Sequence, residues 1–84
     1  MKAINTTHAP AAIGPYSQAV EANGFVYVSG QLPIDPSTGA FAEGGIQAEA
    51  RQCLTNIKNI LAEAGMEMCD VVRVTVLLAD IASF

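Results

Sequence analysis

The hydrophobic pattern of residues 17–30 predicts a β-hairpin. Two apolar runs flank Asn23-Gly24, a dipeptide suited to a two-residue hairpin turn because both of its positions then adopt positive φ. We therefore predict antiparallel strands over residues 17–22 and 25–30. Alternate residues of the second strand form two faces, with Val26 and Val28 on one and Phe25, Tyr27 and Ser29 on the other. Because both faces are largely apolar, we expect one to pack on a helix and the other on a neighbouring chain.

A helical period begins after the glycines at positions 44 and 45. Apolar side chains then recur at steps of three and four residues: Ile46, Ala50, Cys53, Leu54, Ile57, Ile60, Leu61 and Ala64. Polar residues, Gln52 among them, occupy the remaining surface of this predicted helix, and Gly65 is placed to end it with a left-handed residue. Before the helix, residues 33–39 combine two prolines with Asp35, Ser37 and Gly39, which predicts a turn.

Residues 69–79 are rich in β-branched side chains and predict a long strand. Asp80 is suited to cap a further helix, with Ile81 and Phe84 on its apolar side. The element order is therefore hairpin, turn, helix, strand and the start of a second helix. It predicts one α+β domain over residues 1–84, in which a helix covers one face of a mixed sheet and a right-handed crossover leads to a parallel last strand.

Composition narrows the functional classes. The chain has 84 residues, of which 51% are hydrophobic and 14% charged, and this excess of apolar surface predicts an oligomer. A net charge of −4 with four scattered basic residues disfavours nucleic-acid binding. No apolar run is long enough to span a membrane, and the N-terminus lacks the apolar stretch of a signal peptide. The two cysteines, at no C-x-x-C spacing, suggest reduced structural thiols in the cytoplasm.

Two short segments carry candidate chemistry. Tyr16 follows Gly14-Pro15 just before the first hairpin strand, and Ser29-Gly30 lies where the second strand ends. Gly30 would let a ligand approach its backbone N–H closely, and Ser29 adds a hydroxyl beside it, so the pair could hold a carboxylate or orient a water. The structural alternatives stay open: Tyr16 as an aromatic closing the edge of the core, and Ser29-Gly30 as a strand running into a turn.

Other chemistry is poorly supported. Arg51 and Arg73 could bind a carboxylate in principle, but their positions are better explained by a solvated helix face and by a surface or subunit contact. The sequence shows no paired carboxylates on one element, no metal-ligand cluster, no Ser-His-Asp arrangement and no phosphate-binding glycine loop.

The ordered motifs of the chain resemble a known family. These motifs are GPYSQA at residues 14–19, VSGQLP at 28–33, DPSTG at 35–39, NIKNIL at 56–61, Ala-Gly at 64–65 and VVRVTV at 71–76. Together they resemble the Rid (reactive intermediate deaminase) family, also called the YjgF or endoribonuclease L-PSP family. The resemblance implies a chorismate-mutase-like α+β fold, assembled as a homotrimer with ligand clefts between subunits. It also implies hydrolysis of 2-imino or enamino acids, such as 2-iminobutanoate and 2-iminopropanoate, to 2-keto acids and ammonia without a cofactor.

The resemblance assigns roles to three residues. Tyr16 is implied to line the cleft and take part in catalysis, and Ser29 with Gly30 to contact the substrate or its water. The family's carboxylate-binding arginine, the neighbouring cysteine, a late glutamate and an asparagine of the second helix have no counterpart in residues 1–84. We therefore expect this chain to be the N-terminal two-thirds of the family fold and to continue past Phe84.

Two other functions are compatible with the same motifs. One is a non-catalytic trimer that binds a small carboxylate, for which the missing arginine is the argument. The other, a ribonuclease or translation inhibitor, follows from one of the family's names but conflicts with the net charge of −4.

Overall fold

The computed structural model describes residues 1–79 and 82. In chain order its elements are the strands β1 (Lys2–Ile4), β2 (Ala19–Ala22), β3 (Phe25–Val28), β4 (Ile34–Asp35) and β5 (Ala40–Phe41), the helix α1 (Ile46–Glu63) and a 3₁₀ turn at Met68–Asp70. The fold class is α+β, as predicted. The predicted helix cap at Asp80, with Ile81 and Phe84, lies outside the described residues.

The predicted hairpin is confirmed. β2 and β3 pair antiparallel with Ala22 opposite Phe25. The two turn residues between them, Asn23 and Gly24, have φ of 54° and 80°, as a two-residue hairpin turn requires. A further strand, β1, pairs antiparallel with the other side of β2 and was not predicted from the sequence.

A small core joins the β1–β2–β3 sheet to α1. Its buried members are Ile4, Ala9, Ala19 and Ile60, and the partly buried Val26, Val28 and Ala64 pack against them. The valine face of β3 therefore meets the helix, as expected. The opposite face leaves Phe25 and Tyr27 exposed by 58% and 63%. Burying Ile60 alone is worth about 1.5–3 kcal/mol.

Helix α1 ends as predicted, at a left-handed glycine. Gly65 has φ 76°. Its N–H donates to the Ala62 carbonyl at 3.0 Å, and the N–H of Met66 donates to the Leu61 carbonyl at 2.8 Å. These are the two hydrogen bonds of a Schellman motif, so the last carbonyls of the helix are paired.

The predicted buried stripe of α1 is wrong in its first half. Ile46 and Leu54 are 44% and 47% exposed, whereas Asn56 is fully buried. The end of the helix packs on the sheet through Ile60. Its middle lies instead against residues 31–34, to which Asn56 donates hydrogen bonds. The buried side of α1 therefore faces residues 31–34 in the middle of the helix and the sheet at its end.

The turn predicted at residues 33–39 is also confirmed, and the two-residue strands β4 and β5 pair across it. The Asp35 carboxylate accepts hydrogen bonds from the Ser37 N–H at 2.9 Å and from the Ser37 hydroxyl at 2.6 Å. These hydrogen bonds favour the charged form and lower the pKa of Asp35 from its usual value.

The strand predicted at residues 69–79 is absent from the described structure. Its first residues lie in the 3₁₀ turn, where the Asp70 carboxylate accepts a hydrogen bond from the Glu67 N–H at 2.8 Å. Residues 71–78 pair with no described strand, and Val72 and Leu77 are 88% and 90% exposed. The expected parallel pairing of a mixed sheet is therefore not formed, and both described sheets are antiparallel. Within residues 1–79 and 82, neither helical segment has the length and apolar character needed to cross a bilayer.

Candidate functional site

A cleft of about 460 Å³ separates two loops on one side of the domain. Its lining residues are Pro10, Ala11, Ala12, Ile13, Tyr16, Gln18, Gly30, Gln31, Leu32, Ile34, Pro36 and Gly39. We call residues 10–13 with Tyr16 the first wall and residues 30–34 the second wall. The lining is mostly apolar with a few polar groups, as is typical of small-molecule sites. Two of the three predicted site residues, Tyr16 and Gly30, meet here.

Tyr16 is placed by a tight turn around Pro15. Its N–H donates to the Gly14 carbonyl at 2.9 Å, an i to i−2 contact that suits the fixed φ of the intervening proline. Gly14 has φ 124°, which disfavours any residue with a Cβ. The Tyr16 hydroxyl accepts a hydrogen bond from the Ile13 N–H at 3.3 Å, so its own proton can be donated to a ligand.

Ser29 ties the ends of β2 and β3 together. Its hydroxyl donates to the Ser17 carbonyl at 2.6 Å, and its N–H donates to the Gln18 carbonyl at 3.0 Å. Ser29 is half-buried and does not belong to the cleft lining. Its contact with a substrate stays a prediction, while its contacts in the structure hold the backbone that leads into Gly30.

Gly30 presents bare backbone to the cleft. Its φ lies outside the left-handed region, and a Cβ built on it would meet nothing within 4 Å. Within residues 1–79 and 82, its N–H donates to no protein acceptor. Open space beside an N–H without a protein partner lets a ligand oxygen approach closely, which is the role expected of this glycine.

Sequence reasoning missed two buried amide side chains at the cleft. Gln18 is 3% exposed, and its Nε2 donates to the carbonyls of Thr6, Ala9 and Pro10 at 3.0, 3.2 and 2.7 Å. Asn56 is fully buried, and its Nδ2 donates to the carbonyls of Leu32 and Ile34 at 3.2 and 3.0 Å. The sequence held one signal for these buried amides, a polar residue among positions predicted to be apolar. Gln18 lies within a predicted strand, and Asn56 lies between Cys53 and Ile60 on the helix.

Cys53 also contacts the second wall. Its thiol donates to the Gln31 carbonyl at 3.2 Å. Burial, reinforced by the negative charge of Glu49, raises the pKa of the Cys53 thiol and so keeps its proton available for that contact. Cys53 and Cys69 are both free thiols, as predicted.

The two arginines considered from the sequence do not line this cleft. Arg51 borders a separate groove of about 420 Å³ on α1, together with Leu54, Lys58 and Met68. Arg73 is exposed. In the part of the chain that the structure describes, no three His, Cys, Asp or Glu side chains gather closely enough to hold a metal ion.

Comparison with known proteins identifies the family of the chain. The family model described as endoribonuclease L-PSP matches residues 6–84. The chain belongs to this family, the Rid/YjgF family. It is 55% identical over 83 residues to the 2-iminobutanoate/2-iminopropanoate deaminase of Bos taurus, covering 99% of this chain and 61% of the relative.

Solved structures agree with this membership. The E. coli protein TdcF, determined with bound serine, superposes with a TM-score of 0.81 at 42% identity, covering 86% of this chain and 56% of that one. The YjgF gene product of E. coli superposes with a TM-score of 0.80 at 44% identity, with the same coverage of both chains. This chain therefore spans less than two thirds of the length of these relatives.

Proposed function

We propose that the complete protein hydrolyses 2-imino acids, such as 2-iminobutanoate and 2-iminopropanoate, to 2-keto acids and ammonia. The observation that carries the proposal is the meeting of the Tyr16 hydroxyl and the open Gly30 backbone in one mostly apolar cleft. The family and the 55% identity to a bovine deaminase of this name support the same reaction.

The reaction requires the protein only to position the substrate and a water molecule. Water adds to the electrophilic carbon of a protonated imine, the C–N bond breaks, and ammonia leaves as the C=O bond forms. The Gly30 N–H can donate a hydrogen bond to a substrate oxygen, and the Tyr16 hydroxyl can orient the water or the departing nitrogen. Apolar side chains of the cleft, such as Ile13 and Leu32, suit the short aliphatic chain of such a substrate.

The proposal is tested by generating 2-iminobutanoate in the assay with a threonine dehydratase and following its conversion to 2-ketobutanoate. Semicarbazide reacts faster with the free imine than with the 2-keto acid, so a deaminase lowers the initial rate of semicarbazone formation. We expect this initial rate to fall with added protein. An initial rate that stays constant over a wide range of protein concentration would refute the deaminase function.

A second function, binding a small carboxylate without turnover, is favoured by one comparison. TdcF is described with bound serine. Calorimetric binding of serine or 2-ketobutanoate by a protein that does not consume imine would select this function over the first. Ribonuclease activity is the least supported of the three functions, because a net charge of −4 disfavours binding to the phosphate backbone of RNA.

We also propose that the protein acts as a homotrimer with its clefts between subunits. The outer face of the β1–β2–β3 sheet supports an assembly because Phe25 and Tyr27, both on β3, are more than half exposed there. Exposed aromatic side chains on one sheet face are common at protein interfaces. Sedimentation equilibrium of the complete protein tests the trimer, and a monomeric mass would refute it.

A further inference from the structure

The two walls of the cleft are built from irregular backbone, except for Ile34, which belongs to the two-residue strand β4. Irregular backbone must find partners for its carbonyls outside a sheet or helix ladder, because an unpaired buried carbonyl is costly. Gln18 and Asn56 supply those partners from opposite sides. Every buried side-chain nitrogen and oxygen among the described residues has a hydrogen-bond partner, so both amides are fully used.

Gln18 holds the first wall. Its Oε1 accepts a hydrogen bond from the Thr6 N–H at 2.6 Å, and its Nε2 donates to carbonyls on both sides of the bend that leads into this wall, those of Thr6, Ala9 and Pro10. The segment that reaches Ile13 and the Tyr16 hydroxyl is thereby fixed to the start of β2.

Asn56 holds the second wall. Its Nδ2 donates to the Leu32 and Ile34 carbonyls on either side of Pro33, and its Oδ1 accepts a hydrogen bond from Gln52 Nε2 at 2.9 Å. The Gln52 contact fixes which way the amide points. Pro33 has no N–H, and the Ile34 N–H turns back to the Leu32 carbonyl at 2.8 Å. The stretch also pairs with β5, where Ile34 lies opposite Phe41. The Pro33 carbonyl accepts a hydrogen bond from the Ala42 N–H at 2.8 Å, so Asn56 holds the two carbonyls that flank this contact.

We propose that Gln18 and Asn56 are positioning residues that set the separation of the two walls, and hence the distance between the Tyr16 hydroxyl and the Gly30 N–H. The inference rests on the proposed deamination. The polar atoms of both amides are engaged by backbone groups or by Gln52. Each acts through the wall that it holds, and a small displacement of a catalytic group can cost up to about 100-fold in rate.

The test uses Asn56→Ser and Asn56→Asp in the complete protein. Serine keeps one hydrogen-bond donor on a shorter side chain. Aspartate keeps the shape of asparagine but places an oxygen, which cannot donate when ionised, beside the Leu32 and Ile34 carbonyls. The matched control is Thr55→Ala: Thr55 precedes Asn56 on α1, and its hydroxyl donates to the Arg51 carbonyl of the same helix at 2.8 Å, outside the cleft lining. Ile60→Val is a second control, which removes one methyl group from the core and no hydrogen bond to either wall.

Two readouts separate positioning from general stability. The Ile34 N–H and the Ala42 N–H donate to the Leu32 and Pro33 carbonyls of the second wall, so amide hydrogen exchange of Ile34 and Ala42 should become faster in both Asn56 variants and not in the controls. At a temperature where all variants are folded, kcat/KM should fall by about 10- to 100-fold in the Asn56 variants, chiefly through kcat, and stay near wild type in the controls. If Asn56→Asp does not fold, Asn56→Ser carries both readouts, and Gln18→Asn repeats them for the first wall.

The outcomes are distinct. Unchanged exchange at Ile34 and Ala42, or faster exchange with unchanged kcat/KM, would overturn the inference. Equal losses of kcat/KM in Ile60→Val would assign the effect to stability and overturn it as well. If the wild type shows no turnover, the proposed function fails first. The Kd of 2-ketobutanoate then replaces kcat/KM, and a wild type that does not bind it would remove both proposals.

Discussion

Gly30→Ala is expected to separate folding from function at the cleft. The backbone of Gly30 is outside the left-handed region, and the added methyl group would meet no atom within 4 Å. Alanine at a compatible position reduces the entropy of the unfolded chain, so the free energy of unfolding should rise by about 0.4–1 kcal/mol. We expect the same methyl group to hinder the approach of a ligand oxygen to the Gly30 N–H, because Gly30 lines the cleft and the space beside it is open. Blocking one such donor should lower kcat by about 100- to 1,000-fold.

Gly24→Ala is the matched control for this substitution. A Cβ at Gly24 also meets nothing within 4 Å, but Gly24 has φ 80° in the hairpin turn, far from the cleft lining. Alanine in this conformation costs roughly 1–2 kcal/mol, so the variant should lose stability and keep its turnover.

Urea unfolding followed by circular dichroism gives the stability of both glycine variants, and the competition assay for 2-iminobutanoate gives their kinetics. Normal turnover in Gly30→Ala would show that no ligand approaches this N–H. A loss of stability greater than 1 kcal/mol in Gly30→Ala would show that the space beside Gly30 is occupied in solution.

Three further outcomes follow from the site and its surroundings. Tyr16→Phe should slow imine turnover while changing the free energy of unfolding by no more than about 1 kcal/mol, because the hydroxyl makes a single exposed contact, with the Ile13 N–H; unchanged kinetics would remove Tyr16 from the site. Iodoacetamide should alkylate the exposed Cys69 before Cys53, whose raised pKa and partial burial disfavour the thiolate, and mass spectrometry of early time points would show the reverse order if this reasoning fails. The Asp35 carboxyl should titrate below its usual pKa when followed by NMR, and Ser37→Ala should raise this pKa. Because the pKa of Asp35 is lower in the folded state than in the unfolded state, its contribution to stability is fully present above the unfolded-state pKa. That contribution is lost as the pH falls through the folded-state pKa.

The elements that the sequence predicted correctly depend on short-range chemistry. Asn23-Gly24 specifies its turn through the backbone conformations that these two residues accept, and Gly65 ends α1 through hydrogen bonds to residues at most five positions away. The Asp35 turn is likewise closed by its own neighbours. Information of this kind is contained in a few adjacent residues, and so it can be read without knowing the rest of the fold.

The errors concern pairing between distant segments. β1 is only three residues long, and it becomes a strand because β2 offers it an edge. Residues 71–78 show the opposite case, since their β-branched side chains suit a strand but pair with none of the described strands. Strand propensity reports whether a segment fits a sheet, and the partner that completes the ladder is a property of the whole chain.

The cleft depends both on local signals and on contacts between distant segments. A proline turn and a strand end place Tyr16 and Gly30 locally, and the family resemblance supplied their expected roles, but no local rule brings the two loops to one cavity. Asn56 is a further residue whose role could have been predicted from the sequence. It lies on the buried side of α1, and an amide in such a place requires carbonyls without other partners. The helix packs partly on the β1–β2–β3 sheet, and Asn56 finds its carbonyls outside that sheet, at Leu32 and Ile34. A buried amide on a core-facing helix therefore points to the loop that it holds, and in this chain that loop, residues 31–34, is a wall of the cleft.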